Sequence, residues 1–278
     1  MIPAVPIPTL HLFPVLDEAL LSMLKSLSGP QWETQTIASK WTVKDVAAHL
    51  LDGNLRGLSI SRDGYRQHMS EPINSYTDLV AMINRQNLLW TDAARRLSHS
   101  LLMELLEITG PLYTTHLQTL DPHAPAVFSV AWAGQEQSPN WFHIAREYTE
   151  KFLHQQQIRD ALGIPGIMTQ ELFYPFIDTL MQALPYTFRE VDAPDQTTVT
   201  LVVSSPIGGA WSVIKKGPYW HQMTDQAMNA DARVVIDPDL AWKLFSKSLR
   251  PGEVMEQVMI EGNLALGMQA LQMVSVMA

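Results

Sequence analysis

Cysteine is absent from this 278-residue chain. That absence removes disulfides, thiolate metal sites and any protein-borne thiol nucleophile. A basic surplus is missing too: Lys and Arg number 19 against 28 Asp and Glu, a formal net charge of −9. The deficit is spread evenly, with 12 basic against 16 acidic residues over 1–165 and 7 against 12 over 166–278. Neither half offers the cationic surface that a phosphate backbone requires, so nucleic acid is not an expected partner. No uninterrupted apolar run approaches the roughly 20 residues of a membrane span. The opening Met1-Ile-Pro-Ala-Val-Pro-Ile-Pro8 is broken by three prolines and lacks a basic start, so it does not read as a signal peptide. The expectation is a cytoplasmic protein with no membrane partner. Also missing are a Gly-x-Ser-x-Gly elbow, a His-Glu-x-x-His motif, a dinucleotide fingerprint and a Gly-rich phosphate loop.

What is present is a soluble-protein composition, 46% apolar and 17% charged, in a chain long enough for one large domain or two ordinary ones. Residues 1–165 follow helical spacing. Leu16, Leu20, Met23, Leu24 and Leu27 mark a first amphipathic helix, and Thr42 can cap a second with Val43, Val46, Ala47, Leu50 and Leu51 buried. A third spans about Tyr76 to Leu97, and another runs to about Leu120 with a break at Gly110-Pro111. Val127–Trp132 looks extended, and Ser138-Pro139 opens a helix that reaches Leu162 and stops at Gly163. Gly163-Ile-Pro-Gly166 is the expected seam between domains 1–165 and 166–278. Beyond it the period changes, with strand-like runs at 197–203, 210–214, 219–221 and 232–236 and helices after Asp237 and Asn263. The reading is a helical bundle followed by a small α+β domain.

The chemistry concentrates on the helix before Gly163. Glu150 and His154 are four apart and share a face, so they can grip one metal ion together. His49, on an earlier helix, can close such a site from across a bundle. Two imidazoles and a carboxylate suit a first-row divalent ion and leave coordination positions open. His143 and Glu147 lie on the same stripe with the same spacing, so position alone does not choose between the pairs. A polar stripe on an arbitrary helix is most often a solvated face, and a single histidine beside an apolar face is most often a hydrogen-bonded core residue.

Three segments resemble one family. Trp41-Thr-Val-Lys-Asp-Val-Ala-Ala-His-Leu50 is similar to the Trp-(x)2-4-Asp-Val-x-x-His-Leu segment of the DinB-like superfamily, specifically the N-terminal domain of mycothiol-dependent maleylpyruvate isomerases. Val130-Ala-Trp-Ala-Gly134 resembles the family's Val-Pro-Trp-x-Gly hairpin. Arg146 to Gly163 resembles its Arg-x3-Glu-x3-His-x2-Asp-Ile-x2-Ala-Leu-Gly helix. The resemblance implies a DinB-like four-helix bundle whose metal ligands are His49, Glu150 and His154. It leaves His143 and Glu147 outside the ligand set. One departure is Gln157, which stands where the pattern has Asp and cannot act as a base at neutral pH. The C-terminal part resembles the accompanying sterol-carrier-like α+β domain, through Asp231–Phe245 and Val258–Gly267.

By this resemblance the chain is expected to bind a divalent metal, zinc first, with nickel, cobalt or iron as alternatives. It is expected to use a low-molecular-weight thiol in isomerisation or transfer on a small acidic or electrophilic substrate. Arg56, Arg146 and Gln157 are the candidate catalytic assistants. The rival expectation is a non-catalytic metal-containing protein that binds an apolar small molecule or a protein partner. Met255, Met259, Met268, Met273 and Met277 are then candidate pocket lining, although methionines at such spacing are more often core. The oligomeric state is not legible.

Overall fold

The computed structural model describes residues 5–65 and 73–276; Met1–Ala4, where the opening segment begins, and Met277 lie outside the described residues. Two compact units form. One comprises Pro8–Ser129 with Gln137–Ile167; the other gathers Met168–Val276, the short stretch Val130–Glu136 and the N-terminal residues up to Ile7.

The first unit is helical. Counting helices longer than one turn, it holds α1 (Phe13–Ser26), α2 (Val43–Arg56), α3 (Tyr76–Ala94), α4 (His99–Gln118) and α5 (Asn140–Leu162). Helices α1 and α2 each pack against both α4 and α5, which closes a four-helix bundle, and α3 packs against α2 from outside. The core is built from Leu20, Met23 and Leu24 of α1, Val43, Val46, Ala47, Leu50 and Leu51 of α2, Leu102 and Leu106 of α4, and Ile158 of α5. These residues recur every three or four positions, so each helix buries one stripe. Helix α2 starts at a capping box: Thr42 Oγ1 accepts the Asp45 N–H at 3.3 Å, and Asp45 Oδ2 accepts the Thr42 N–H at 3.1 Å. Helix α5 ends at Gly163, whose φ of 64° is the left-handed conformation that stops a helix without a Cβ clash.

Two local expectations are corrected here. Helix α4 does not break at Gly110-Pro111 but runs through it. Leu106 before the pair and Tyr113 and Leu117 after it are buried, so tertiary packing outweighs one lost backbone hydrogen bond. Val127–Trp132 forms no strand, and Ala131–Ala133 is instead a 3-10 turn closed by Gly134. Among the described residues the pairing nearby is one isolated bridge between Pro125 and Pro139, and two prolines have no N–H with which to extend a ladder.

The second unit opens with α6 (Gln170–Met181), then a five-stranded sheet of β1 (Thr198–Val203), β2 (Gly209–Lys216), β3 (Tyr219–Gln222), β4 (Ala232–Ile236) and β5 (Met259–Gly262). The order is β3-β2-β1-β4-β5, with β1 and β4 parallel and the other pairs antiparallel. Val199, Leu201 and Val203 of β1 and Ala232, Val234 and Ile236 of β4 bury alternate positions, as a one-sided sheet requires. Two further helices, α7 (Pro238–Phe245) and α8 (Leu264–Ala270), follow β4 and β5. The methionines do not share one lining, since Met259 is exposed on β5 and Met273 is buried. No described helix is long and apolar enough to cross a membrane.

Because the Thr42 box sets the start of the helix that carries His49, Thr42→Ala is expected to destabilise the bundle by about 1 kcal/mol. A shifted urea midpoint with an unchanged slope is the expected result; an unshifted midpoint would show that the cap contributes nothing.

Candidate metal centre

The bundle brings α2 and α5 together so that His49 meets Glu150 and His154. One ligating atom of each lies within 4.8 Å of the other two. Both imidazoles are buried and the carboxylate is half-buried. Their rings meet edge to face with centroids 4.5 Å apart. The indole of Trp41 leans on both, 4.7 Å from His49 and 5.8 Å from His154. Trp41 thus forms one wall of the site, while Trp32 and Trp141 are buried in the helical unit.

The hydrogen bonding is asymmetric. His154 Nδ1 lies 2.9 Å from Gln157 Oε1, one turn on along α5. An amide oxygen only accepts, so His154 carries its proton on Nδ1. Its Nε2 then faces Glu150 Oε2 at 3.3 Å. A lone pair and a carboxylate at that distance repel unless a cation, proton or metal, lies between them. His49 Nδ1 is buried with no hydrogen-bond partner among the described residues. These two features fit a divalent ion, whose coordination would satisfy the facing lone pairs and whose usual donors are neutral imidazole and ionised carboxylate.

The charge states agree. Burial, followed by the neighbouring His154, pushes the His49 pKa well below its ordinary value, so the ring is neutral at pH 7. Burial alone would raise Glu150, but with a proton on His154 Nε2 as the intervening cation, that hydrogen bond and charge, with Arg146 and His49 behind them, bring it down to about 2. A neutral imidazole and an ionised carboxylate are the forms that ligate.

The candidate assistants lie around this cluster in different ways. Gln157 touches it directly through His154. Arg56 sits in the last turn of α2 and pairs with Asp52, Nε to Oδ2 at 2.8 Å, with its side chain partly exposed. Arg146, almost buried, places Nη2 against Glu147 Oε1 and 3.0 Å from His143 Nδ1. His143 and Glu147 are therefore joined to Arg146 rather than to the triad, and His143 is only 1% exposed. Tyr113 of α4, which no sequence pattern singles out, lies close enough to Glu147 for its hydroxyl to lower the Glu147 pKa. No spacing rule links residues on different helices, so only its later burial marks it.

A helical bundle with an enclosed His, Glu, His cluster between two of its helices, joined to an α+β sheet unit, defines a class of metal-capable two-unit proteins. Residues 13–159 match the family model described as the mycothiol maleylpyruvate isomerase N-terminal domain. That span is just over half of the chain, and the chain belongs to this family. No curated protein sequence matches it. Among solved structures it resembles the mycothiol-dependent maleylpyruvate isomerase, at 10% identity and a TM-score of 0.58, over 94% of this chain and 95% of that one. A histidine-to-alanine variant of that enzyme matches over the same shares at 10% identity and a TM-score of 0.56. The sterol carrier protein 2 like 2 of Aedes aegypti aligns over 35% of this chain and 95% of its own, at 16% identity and a TM-score of 0.27.

His143 generates a pH prediction. Burial and then the Arg146 guanidinium push its pKa from 6.5 to about 4, with His116 of α4 acting the same way and Glu147 opposing. The unfolded chain takes up this proton as pH falls through about 6.5, whereas the folded chain does so only near 4. The stability from this group is therefore whole above pH 6.5, shrinks as pH falls, and is gone below 4, up to about 3 kcal/mol in all. Urea midpoints measured from pH 7 to 4 should fall less steeply for His143→Gln than for the parent. Parallel curves would reject the assignment.

Proposed function

We propose that the chain is a divalent-metal-dependent enzyme that uses a low-molecular-weight thiol to isomerise, or to transfer onto, a small acidic or electrophilic substrate. The observation that carries this reading is the convergence of His49, Glu150 and His154 within 4.8 Å in a bundle of the mycothiol maleylpyruvate isomerase family. Zinc is the first choice for the donor set, with nickel, cobalt and iron as alternatives.

Because the chain has no cysteine, the thiol must arrive from solution, and the family description points to mycothiol. When bound, a divalent ion supplies Lewis acidity that lowers the pKa of a coordinated thiol or water. His49, His154 and Glu150 hold the ligating groups in place, and Trp41 shields both rings on one side. Gln157 fixes the His154 tautomer through Nδ1, a role that a carboxylate or an amide performs equally. Neither Gln157 nor an arginine accepts a proton at neutral pH, so the thiol proton leaves to solvent or to the substrate. Arg56, partly exposed beside the site, supplies positive charge for an acidic substrate, while Arg146, balanced by Glu147, assists by favouring the ionised Glu150. Thiolate addition to an activated double bond, rotation and loss of the same thiolate isomerise the substrate and return the thiol, with no net redox change.

Purified protein is expected to carry about one equivalent of metal, and His154→Ala to lose most of it while staying folded. Metal-loaded protein with a small thiol should convert a cis-unsaturated keto acid, followed by ultraviolet absorbance, and His154→Ala should fall at least 100-fold. Equal metal content in parent and variant, or none in either, would overturn the metal reading. An apolar ligand that copurifies without thiol-dependent turnover would favour the binding-protein reading.

A further inference from the structure

Arg146 and Glu150 are four apart on α5, the spacing at which an arginine and a glutamate normally pair. Such a pair would occupy the carboxylate that the metal reading needs. In the structure the pairing goes elsewhere. Arg146 Nη2 contacts Glu147 Oε1 and lies 3.0 Å from His143 Nδ1, while Glu150 Oε2 lies 3.3 Å from His154 Nε2. Adjacent residues do not face each other on a helix, so the Arg146–Glu147 contact requires support from outside α5.

That support comes from α4 and the end of α2. Tyr113, 2% exposed, brings its hydroxyl close enough to Glu147 for each to shift the other's pKa, Tyr113 upward and Glu147 downward. Its ring reaches there by passing against Gly57, where a Cβ would lie 2.3 Å from Tyr113 Cε2 and 2.8 Å from the hydroxyl oxygen. Gly57 begins a six-residue π-helical turn, Gly57–Arg62, a local widening of the helix that recurs where backbone geometry serves a site. His143 Nδ1 accepts from Arg146 on the other side. Arg146 Nε is left buried with no acceptor among the described residues, so the guanidinium is held through Nη2.

We propose that Glu147, backed by the buried Tyr113 side chain, is a positioning residue that holds the Arg146 guanidinium away from Glu150 and thereby keeps Glu150 available to a metal ion. The inference rests on the metal reading of His49, Glu150 and His154. It assigns a task to the His143–Glu147 pair, which shares their stripe without joining them. Its charge logic is simple: Arg146 and Glu147 together are neutral, and removing the anion alone leaves a cation whose nearest free carboxylate is a ligand.

Zinc affinity of the full chain, measured by competition with a chromophoric chelator at pH 7.5, tests this directly. Glu147→Gln should bind zinc at least 10-fold more weakly than the parent, as loss of a supporting partner does at metal sites. Tyr113→Phe, which removes only the hydroxyl, should weaken it several-fold and keeps the test open if Glu147→Gln does not fold. The double variant Arg146→Gln/Glu147→Gln should return to within about threefold of the parent, because the unbalanced cation is gone; a merely structural defect would not be rescued by a second substitution. Single variants that bind like the parent, or a double variant no tighter than Glu147→Gln, overturn the inference and leave the metal reading standing. A parent chain that takes up no zinc overturns both.

Discussion

A carboxylate oxygen and an imidazole nitrogen 3.3 Å apart inside a helical bundle, with the imidazole's proton committed to the opposite nitrogen, demand a positive charge between them. Most of the arrangement around α5 follows from that demand. Gln157 turns the His154 lone pair inward, His49 arrives from α2 as a neutral ring, and Trp41 covers both imidazoles. The site stands on helices rather than loops, so the spacing of its donors is set by backbone hydrogen bonds and core packing, which gives a narrow geometry without a dedicated scaffold.

Helix α5 bears an unusual load for this reason. Apolar Ile144, Tyr148, Phe152 and Ile158 bury one face, as their spacing implies, yet His143, His154, Gln155, Gln156 and Gln157 are buried as well. Buried polar groups are costly unless paired, so each must find a partner along the helix or across the bundle. Two clusters of these pairings stand out. His49, Glu150, His154 and Gln157 make the metal-capable cluster. His143, Arg146, Glu147 and Tyr113 make a compensated ionic cluster one turn away. Lys151 completes a third pairing, with Asp17 of α1 at 2.6 Å.

Gln157 illustrates how much a single substitution changes within such a network. The family pattern has a carboxylate there, and the amide keeps the hydrogen bond to His154 Nδ1. Tautomer control therefore survives while any proton-accepting role is lost.

The helices, their caps and the apolar stripes were legible in the sequence, because 3.6-residue periodicity and residues such as Thr42 and Gly163 act locally. So were four of the five strands of the second unit, β5 (Met259–Gly262) being the one missed, and so was the i,i+4 geometry of Glu150 and His154. Helix α6 was overlooked although Leu172, Phe173, Phe176, Ile177 and Leu180 carry a clear helical stripe, with Pro175 in its middle. Tertiary structure alone decided the rest. It carried α4 through Pro111, denied Val127–Trp132 a strand partner, and brought His49 to α5 across nearly a hundred residues of chain. Spacing left two equivalent pairs, the family resemblance pointed to Glu150 and His154, and the structure groups that pair with His49. Glu150 faces His154 and His49, whereas Glu147 is taken up by Arg146 and Tyr113. Spacing along one helix determines which side chains share a face, but the partner of each is set by whatever the neighbouring helices present to that face.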